Sequence, residues 1–119
     1  MKLEPPVPVL RIFDYKLARA FYIDWLGFKI AWEHHSEPEG LHWLAIYRDA
    51  ANLYLTEHQG SPGAKVYIRT SDLEAFHREL QGRPHPNINP DIDVEPWGAK
   101  SCCVIDPFGN RIYFTGKIY

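Results

Sequence analysis

The 119-residue sequence predicts an α+β fold made of two copies of a β-α-β-β-β unit, and three observations carry the prediction. Eight short segments have the alternation, or the β-branched and aromatic content, of strands. Two others, headed by Asp14 and Asp72, space their apolar residues as helices do. When Asp14 is laid over Asp72, Leu10 falls on Ile68, Ala18 on Phe76 and Tyr22 on Leu80, and at nearly the same offset Leu53-Tyr54-Leu55 falls on Ile112-Tyr113-Phe114. Self-similarity over half a chain marks a duplicated unit. Each half is small for an independent core, whereas a domain of the full length typically buries about two-thirds of the surface its unfolded chain exposes. The expected organisation is one domain over residues 1–119, with module one at about 7–58 and module two at about 65–116.

In the first module, residues 7–13 read as a strand, with Pro8 tolerated near its start. Asp14 caps a helix over residues 15–25, in which Leu17, Phe21 and Trp25, with Ala18, Tyr22 and Leu26, recur four residues apart before Gly27 stops it. Residues 28–33, 41–47 and 52–57 are strands, separated by Ser36-Glu37-Pro38-Glu39-Gly40 and by Arg48-Asp49-Ala50-Ala51. Residues 59–63 form a connecting loop. The second module opens on an alternating strand at 65–69; Ser71 or Asp72 then caps a helix whose inner face is Leu73, Phe76, His77 and Leu80 and which ends at Gly82. A proline-rich loop spans 83–90, residues 92–94 and 100–105 are extended, and Asp106-Pro107-Phe108-Gly109-Asn110 makes a turn before the last strand at 111–115.

Composition removes several classes of function. A net charge of -2 lacks the basic surplus that phosphate backbones demand, so no nucleic-acid partner is expected. No apolar run approaches the roughly 20 residues of a membrane span, and residues 1–6 lack a signal-peptide apolar region; a cytoplasmic location without a membrane partner is expected. The adjacent Cys102 and Cys103 point to opposite faces of a strand and are expected to stay reduced. Four Trp, seven Tyr and six Phe are a heavy load for this length, and such residues fill a core or line a ligand pocket.

The stretch from Arg11 to Phe28, with Asp14, the pair Phe21-Tyr22 and Leu26-Gly27-Phe28, resembles the first-module signature of the glyoxalase/bleomycin resistance protein/dioxygenase superfamily, the vicinal oxygen chelate fold. Asp106-Pro107-Phe108-Gly109-Asn110 resembles the turn before that family's last strand, and Trp97-Gly98 stands where related sequences carry the same pair. The resemblance covers about residues 7–116 and implies two βαβββ modules whose curved sheets form a cleft. Drug-binding members commonly pair as homodimers and often exchange a strand, which here would be residues 1–8.

Enzymes of this superfamily carry His or Glu metal ligands at four cleft-facing positions, which the resemblance places on Val7, Tyr54, Lys65 and Tyr113. Valine has no donor atom, lysine is normally cationic, and phenols are rarely deprotonated near neutral pH. A shift of one residue turns each side chain to the other sheet face. The chain therefore resembles the bleomycin-resistance-like branch without metal, and no metal or other cofactor is expected. Glu57 with His58 at a strand end, and Glu33 facing His42 across a hairpin, are the remaining donor groups.

Strand alternation from those four positions adds Val9, Arg11, Asn52, Thr56, Tyr67, Arg69, Arg111 and Thr115 to the cleft face, and puts Leu10, Ile12, Leu53, Leu55, Val66, Ile68, Ile112 and Phe114 on the face beneath the helices. Trp43 and Tyr47 extend the lining, Trp32 edges its opening, and Trp97 lies in a loop beside the sheet that covers ligand in related drug binders. The candidate ligand-binding residues are Arg11, Trp43, Tyr54, Lys65, Tyr67, Arg69, Trp97, Arg111 and Tyr113. No catalytic residue is expected, since neither cysteine follows a helix start that would lower its pKa.

The expected function is non-catalytic binding and sequestration of a small organic molecule, a drug or antibiotic of the bleomycin-like kind, by a homodimer. Unless neighbouring carboxylates neutralise them, Arg11, Lys65, Arg69 and Arg111 favour a ligand bearing carboxylate or phosphate. One rival is a metal-dependent glyoxalase- or dioxygenase-type enzyme, or a thiol transferase, with ligands displaced to residues such as His42, Glu57 or His58. Another is a protein-binding role in which the aromatics mark a partner surface.

Overall fold

A computed structural model of the chain describes residues 1–2, 4–36, 40–58, 64–85, 88–94 and 98–116. Its first module runs β1 (Val9–Arg11), α1 (Tyr15–Ala18) continuing as a π-helical segment (Arg19–Trp25), β2 (Lys29–Ser36), β3 (Leu41–Arg48) and β4 (Ala51–Thr56). The second runs β5 (Lys65–Arg69), α2 (Leu73–Gly82), β6 (Ile92–Val94), β7 (Lys100–Ile105) and β8 (Arg111–Thr115). Each module folds into a four-stranded sheet, in the orders β1-β4-β3-β2 and β5-β8-β7-β6. The opening strand lies parallel to the last one, β1 on β4 and β5 on β8, and the other pairs are antiparallel. This is the α+β, twice-βαβββ architecture that the repeat predicts.

Both helix starts follow from their aspartates: the Asp14 carboxylate accepts from the Leu17 N–H and that of Asp72 from the Ala75 N–H, each at 3.0 Å. The first helix departs from the plain α-helix expected over 15–25. Beyond Ala18 it widens to i→i−5 bonding, as in Leu26 N–H to Phe21 O at 3.0 Å. This winding keeps Phe21, Tyr22, Trp25 and Leu26 buried together, while Leu17, expected on the inner face, is exposed. β1 starts later than residue 7 because Pro8 has no N–H to give a ladder, although its carbonyl still accepts from Tyr54 at 2.9 Å, and it ends at Arg11, short of residue 13. β2 reaches past residue 33 to Ser36, since Glu33, His34 and His35 pair with Leu44, Trp43 and His42. The loop at 59–63 lies outside the described residues.

The apolar faces of the two sheets turn inward as alternation requires. Leu10, Ile12, Leu53, Leu55, Val66, Ile112 and Phe114 are buried and Ile68 half-buried, in one cluster with Phe21, Tyr22 and Trp25 from the first helix and Leu73 and Leu80 from α2. Among the described residues no helix is long and apolar enough to cross a membrane.

Two reciprocal junctions tie the modules together. In one, the β7–β8 turn meets the first helix: the buried Tyr22 hydroxyl donates to Asp106 Oδ2 at 2.7 Å. Asp106 also accepts from the N–H groups of Phe108 and Asn110 at 2.9 and 2.8 Å and from Asn110 Nδ2 at 2.7 Å. In the other, Arg48 at the end of β3 grips Glu79 of α2 through two bonds of 2.7 and 2.8 Å and donates to the Leu26 carbonyl at 2.6 Å. Arg83 adds a bond to Glu79 at 2.7 Å and one to the Trp25 carbonyl at 2.8 Å. Gly27 lies between them at φ +80, and a Cβ there would stand 2.8 Å from Arg48 Nη1.

The Arg48 hydrogen bonds, assisted by Arg83, hold the Glu79 carboxyl down at about 2 against its own partial burial. A carboxylate whose folded pKa is depressed stabilises the fold above its unfolded value near 4.5 and loses that contribution as pH falls toward 2. Because the side chain is about a third exposed, solvent screening keeps the contribution modest. Glu79→Gln is therefore expected to cost about 1–2 kcal/mol at pH 7. Urea midpoints of the two proteins, measured from pH 7 to pH 2, should converge at the acid end.

Candidate ligand-binding site

The strand faces turned away from the helices carry the polar and aromatic residues. On the first sheet, Val9 pairs with Tyr54, and the Tyr54 ring lies 5.9 Å from both Trp43 and Trp32. On the second, Lys65 pairs with Arg111 and Tyr67 with Tyr113. The two tyrosine rings stack at 4.7 Å, and Lys65 Nζ stands 5.9 Å from the Tyr113 ring. Of the nine candidate residues, the structure thus gathers Trp43 with Tyr54, and separately Lys65, Tyr67, Arg111 and Tyr113.

Among the described residues no ring pair joins the two groups, which lie on separate sheets. Trp32 and Tyr67 are 47% and 60% exposed on them. Arg69, opposite Thr115, borders a hollow of about 550 Å³ between β5 and residues 6–8 and 50–53, so that Val7 and Asn52 of the first module and Tyr67 and Arg69 of the second line it together. Arg11 folds its guanidinium over the Phe13 ring at 4.7 Å, with Nε buried and without a hydrogen-bond partner. Trp97 lies outside the described residues.

Neutralisation of the cations does not occur within the described residues: Arg11, Lys65, Arg69 and Arg111 take part in none of the ion pairs there. Asp93, opposite Ser101, is the one carboxylate that the register among the described residues puts on the second sheet's outer face. These surfaces therefore have a positive bias and a run of π-faces.

The four positions where the superfamily's enzymes hold metal do not fit a metal ion. Beyond Val7, Tyr54, Lys65 and Tyr113 themselves, the adjoining Leu53, Leu55, Ile112 and Phe114 offer no donor and point into the core. The other donors named from the sequence lie elsewhere. His42 Nδ1 and Glu57 Oε1 meet at 2.7 Å, under the Tyr15 ring stacked at 4.0 Å on His42, on the helix side of the first sheet. Glu33 does not oppose His42 across the hairpin: the register puts it opposite Leu44 and gives it the Tyr15 hydroxyl at 2.5 Å, while His42 opposes His35. Among the described residues no three His, Cys, Asp or Glu side chains form a metal-binding group. Of the cysteines, Cys103 pairs with Tyr113 on the outer face, and Cys102 is buried opposite Phe114, where burial pushes its thiol up to about 11.

Two packed βαβββ modules, each with a four-stranded sheet, define a class of paired-module α+β proteins. The family model described as "Glyoxalase superfamily protein" matches residues 1–119, and the chain belongs to the glyoxalase superfamily. Its fold is similar to a crystal structure of a bleomycin-binding protein complexed with bleomycin, with a TM-score of 0.74 at 21% identity over 98% of this chain and 100% of that one. A bleomycin resistance determinant encoded on the transposon Tn5 aligns with a TM-score of 0.74 at 19% identity, covering 98% and 100%. A lactoylglutathione lyase from Agrobacterium tumefaciens gives a TM-score of 0.71 at 16% identity, covering 97% and 95%. No curated protein matches the chain in sequence.

Proposed function

We propose that the protein binds and sequesters a small amphiphilic organic molecule, a drug or antibiotic of the bleomycin-like kind, without transforming it. The observation that carries this reading is the outer face of the second sheet, where the stacked Tyr67 and Tyr113 lie beside Lys65 and Arg111 at a position that enzymes of the fold give to metal ligands. Stacked phenols supply area for a planar ligand at low entropic cost, and flanking cations receive an acid group. The positive bias disfavours a polycationic drug; the favoured ligand is an aromatic body bearing carboxylate or phosphate. Likeness in fold to bleomycin-binding proteins supports the binding role.

The working unit is a homodimer. A second copy laid over the open faces would shield Trp32 and Tyr67, and would bring a first-sheet face of one chain and a second-sheet face of the other around one ligand. Two free cysteines accord with a cytoplasmic location. Titration of tryptophan fluorescence with aromatic carboxylates and with bleomycin, followed by mass analysis of the recovered ligand, tests the proposal. Saturable quenching by the acids with unchanged ligand is expected; turnover of any ligand, or no quenching by any of them, would overturn it.

A further inference from the structure

The internal repeat allows one module junction to be read against the other. At the first, the β7–β8 turn brings Phe108 edge-to-face onto Phe13 at 5.7 Å, and Arg11 covers the Phe13 ring at 4.7 Å. The register makes the pair Arg48 and Ala51, which closes the β3–β4 turn, the counterpart of Asp106 and Asn110. The Asp14 and Asp72 alignment makes Ser71 the counterpart of Phe13, and Arg69 that of Arg11. At the second junction, then, Asp49-Ala50 stands in place of Pro107-Phe108-Gly109, and a serine stands in place of the phenylalanine beneath the arginine. Both rings of the first junction, the half-buried Phe108 and the largely exposed Phe13, are missing from the second.

What remains is a hollow of about 410 Å³ floored by Phe28, Ile68, Phe76 and Phe114, with Arg69 and Ser71 at its rim. The other charges around it are engaged or exposed: Arg48 is held by Glu79 and lies over the Phe76 ring at 5.3 Å, the Asp72 carboxylate caps α2, and Asp49 is exposed on the turn. Arg69, exposed as Asp49 is, has neither a ring beneath it nor an ion-pair partner among the described residues.

We propose that this hollow, which shares Arg69 with the edge of the second sheet's outer face but lies apart from the Tyr67–Tyr113 stack, is a binding site for a small planar aromatic acid whose ring takes the place of the missing Phe pair and whose acid group meets Arg69 and Ser71. Guanidinium over a ring is the arrangement that Arg11 and Phe13 already display in this molecule, and the fork geometry of arginine matches a carboxylate.

Isothermal titration of the full chain with 2-naphthoate tests this. Ser71 and Ala50 are both exposed, so Ser71→Phe and Ala50→Phe supply the missing rings without disturbing the core. Each is expected to abolish one binding site, Arg69→Gln to weaken that site by about tenfold, and Tyr113→Ala to leave it unchanged. The absence of any 2-naphthoate site, full binding in both phenylalanine variants, or loss of this site in Tyr113→Ala would overturn the proposal. The last result would assign the ligand to the open sheet face instead.

Discussion

Asp106→Ala is expected to lower the unfolding free energy by about 3–5 kcal/mol. The Asp106 carboxylate is only 4% exposed and accepts from the Tyr22 hydroxyl, the Asn110 amide and two backbone N–H groups. Alanine would leave the buried Tyr22 hydroxyl and the Asn110 backbone N–H without an acceptor, while the Asn110 amide would keep only its bond to the Arg11 carbonyl, and each orphaned donor costs about 1–3 kcal/mol. Tyr22→Phe removes one donor and leaves the rest of the carboxylate's partners in place, so its cost should be nearer 1 kcal/mol. Urea unfolding of the three proteins reads the contrast; equal midpoints for Asp106→Ala and the parent would contradict it. Burial first, and then the Asp106 charge, raise the Tyr22 hydroxyl well above its usual value of 10.0. Stability from that shift is fully present below the unfolded value and declines only as pH rises beyond it. The link is therefore intact at neutral pH.

The second large effect is on binding. Tyr113→Ala is expected to weaken the sheet-face ligand about 30-fold, the size of a buried aromatic hot spot of about 2 kcal/mol. Tyr113 is central to its face: Tyr67 stacks on it, Lys65 lies over its ring, and Cys103 pairs with it across the strands. Removing it also leaves Tyr67 without its stacking partner. Tyr113→Phe keeps ring and stack and should bind within about threefold of the parent. A Tyr113→Ala protein that binds as tightly as the parent would remove the second sheet from the site.

Local pattern made much of this fold readable. Asp14 and Asp72 announced both helix starts because a side-chain cap acts within three residues, and the bounds of β5, β7 and β8 followed from alternation over a one-sided core. The same alternation separated Tyr54 and Tyr113 from Leu53 and Ile112. Interactions that depend on distant residues were not readable. The Tyr22–Asp106 bond spans 84 positions and the Arg48–Glu79 pair 31, and no local pattern encodes either partner. The widening of the first helix was not readable either, because the spacing of Phe21 and Trp25 fits an α-helix equally well. Of the site, the composition of each face was legible. The repeat also divided Trp43 and Tyr54 from Tyr67 and Tyr113 between two modules; that no ring pair joins them among the described residues depends on how the modules dock.

The tryptophan indole N–H resonances offer the most direct test that the open sheet faces hold the ligand. Trp43 and Trp32 flank Tyr54 on the first sheet, whereas Trp25 is buried with its indole N–H bonded to the Arg83 carbonyl at 2.5 Å, an internal control in the same spectrum. In a titration with a binding aromatic acid, the Trp43 and Trp32 signals should shift to saturation while the Trp25 signal stays in place. A saturating ligand that moves Trp25 alone, or leaves both Trp43 and Trp32 unmoved, would contradict the assignment of these faces as the binding site.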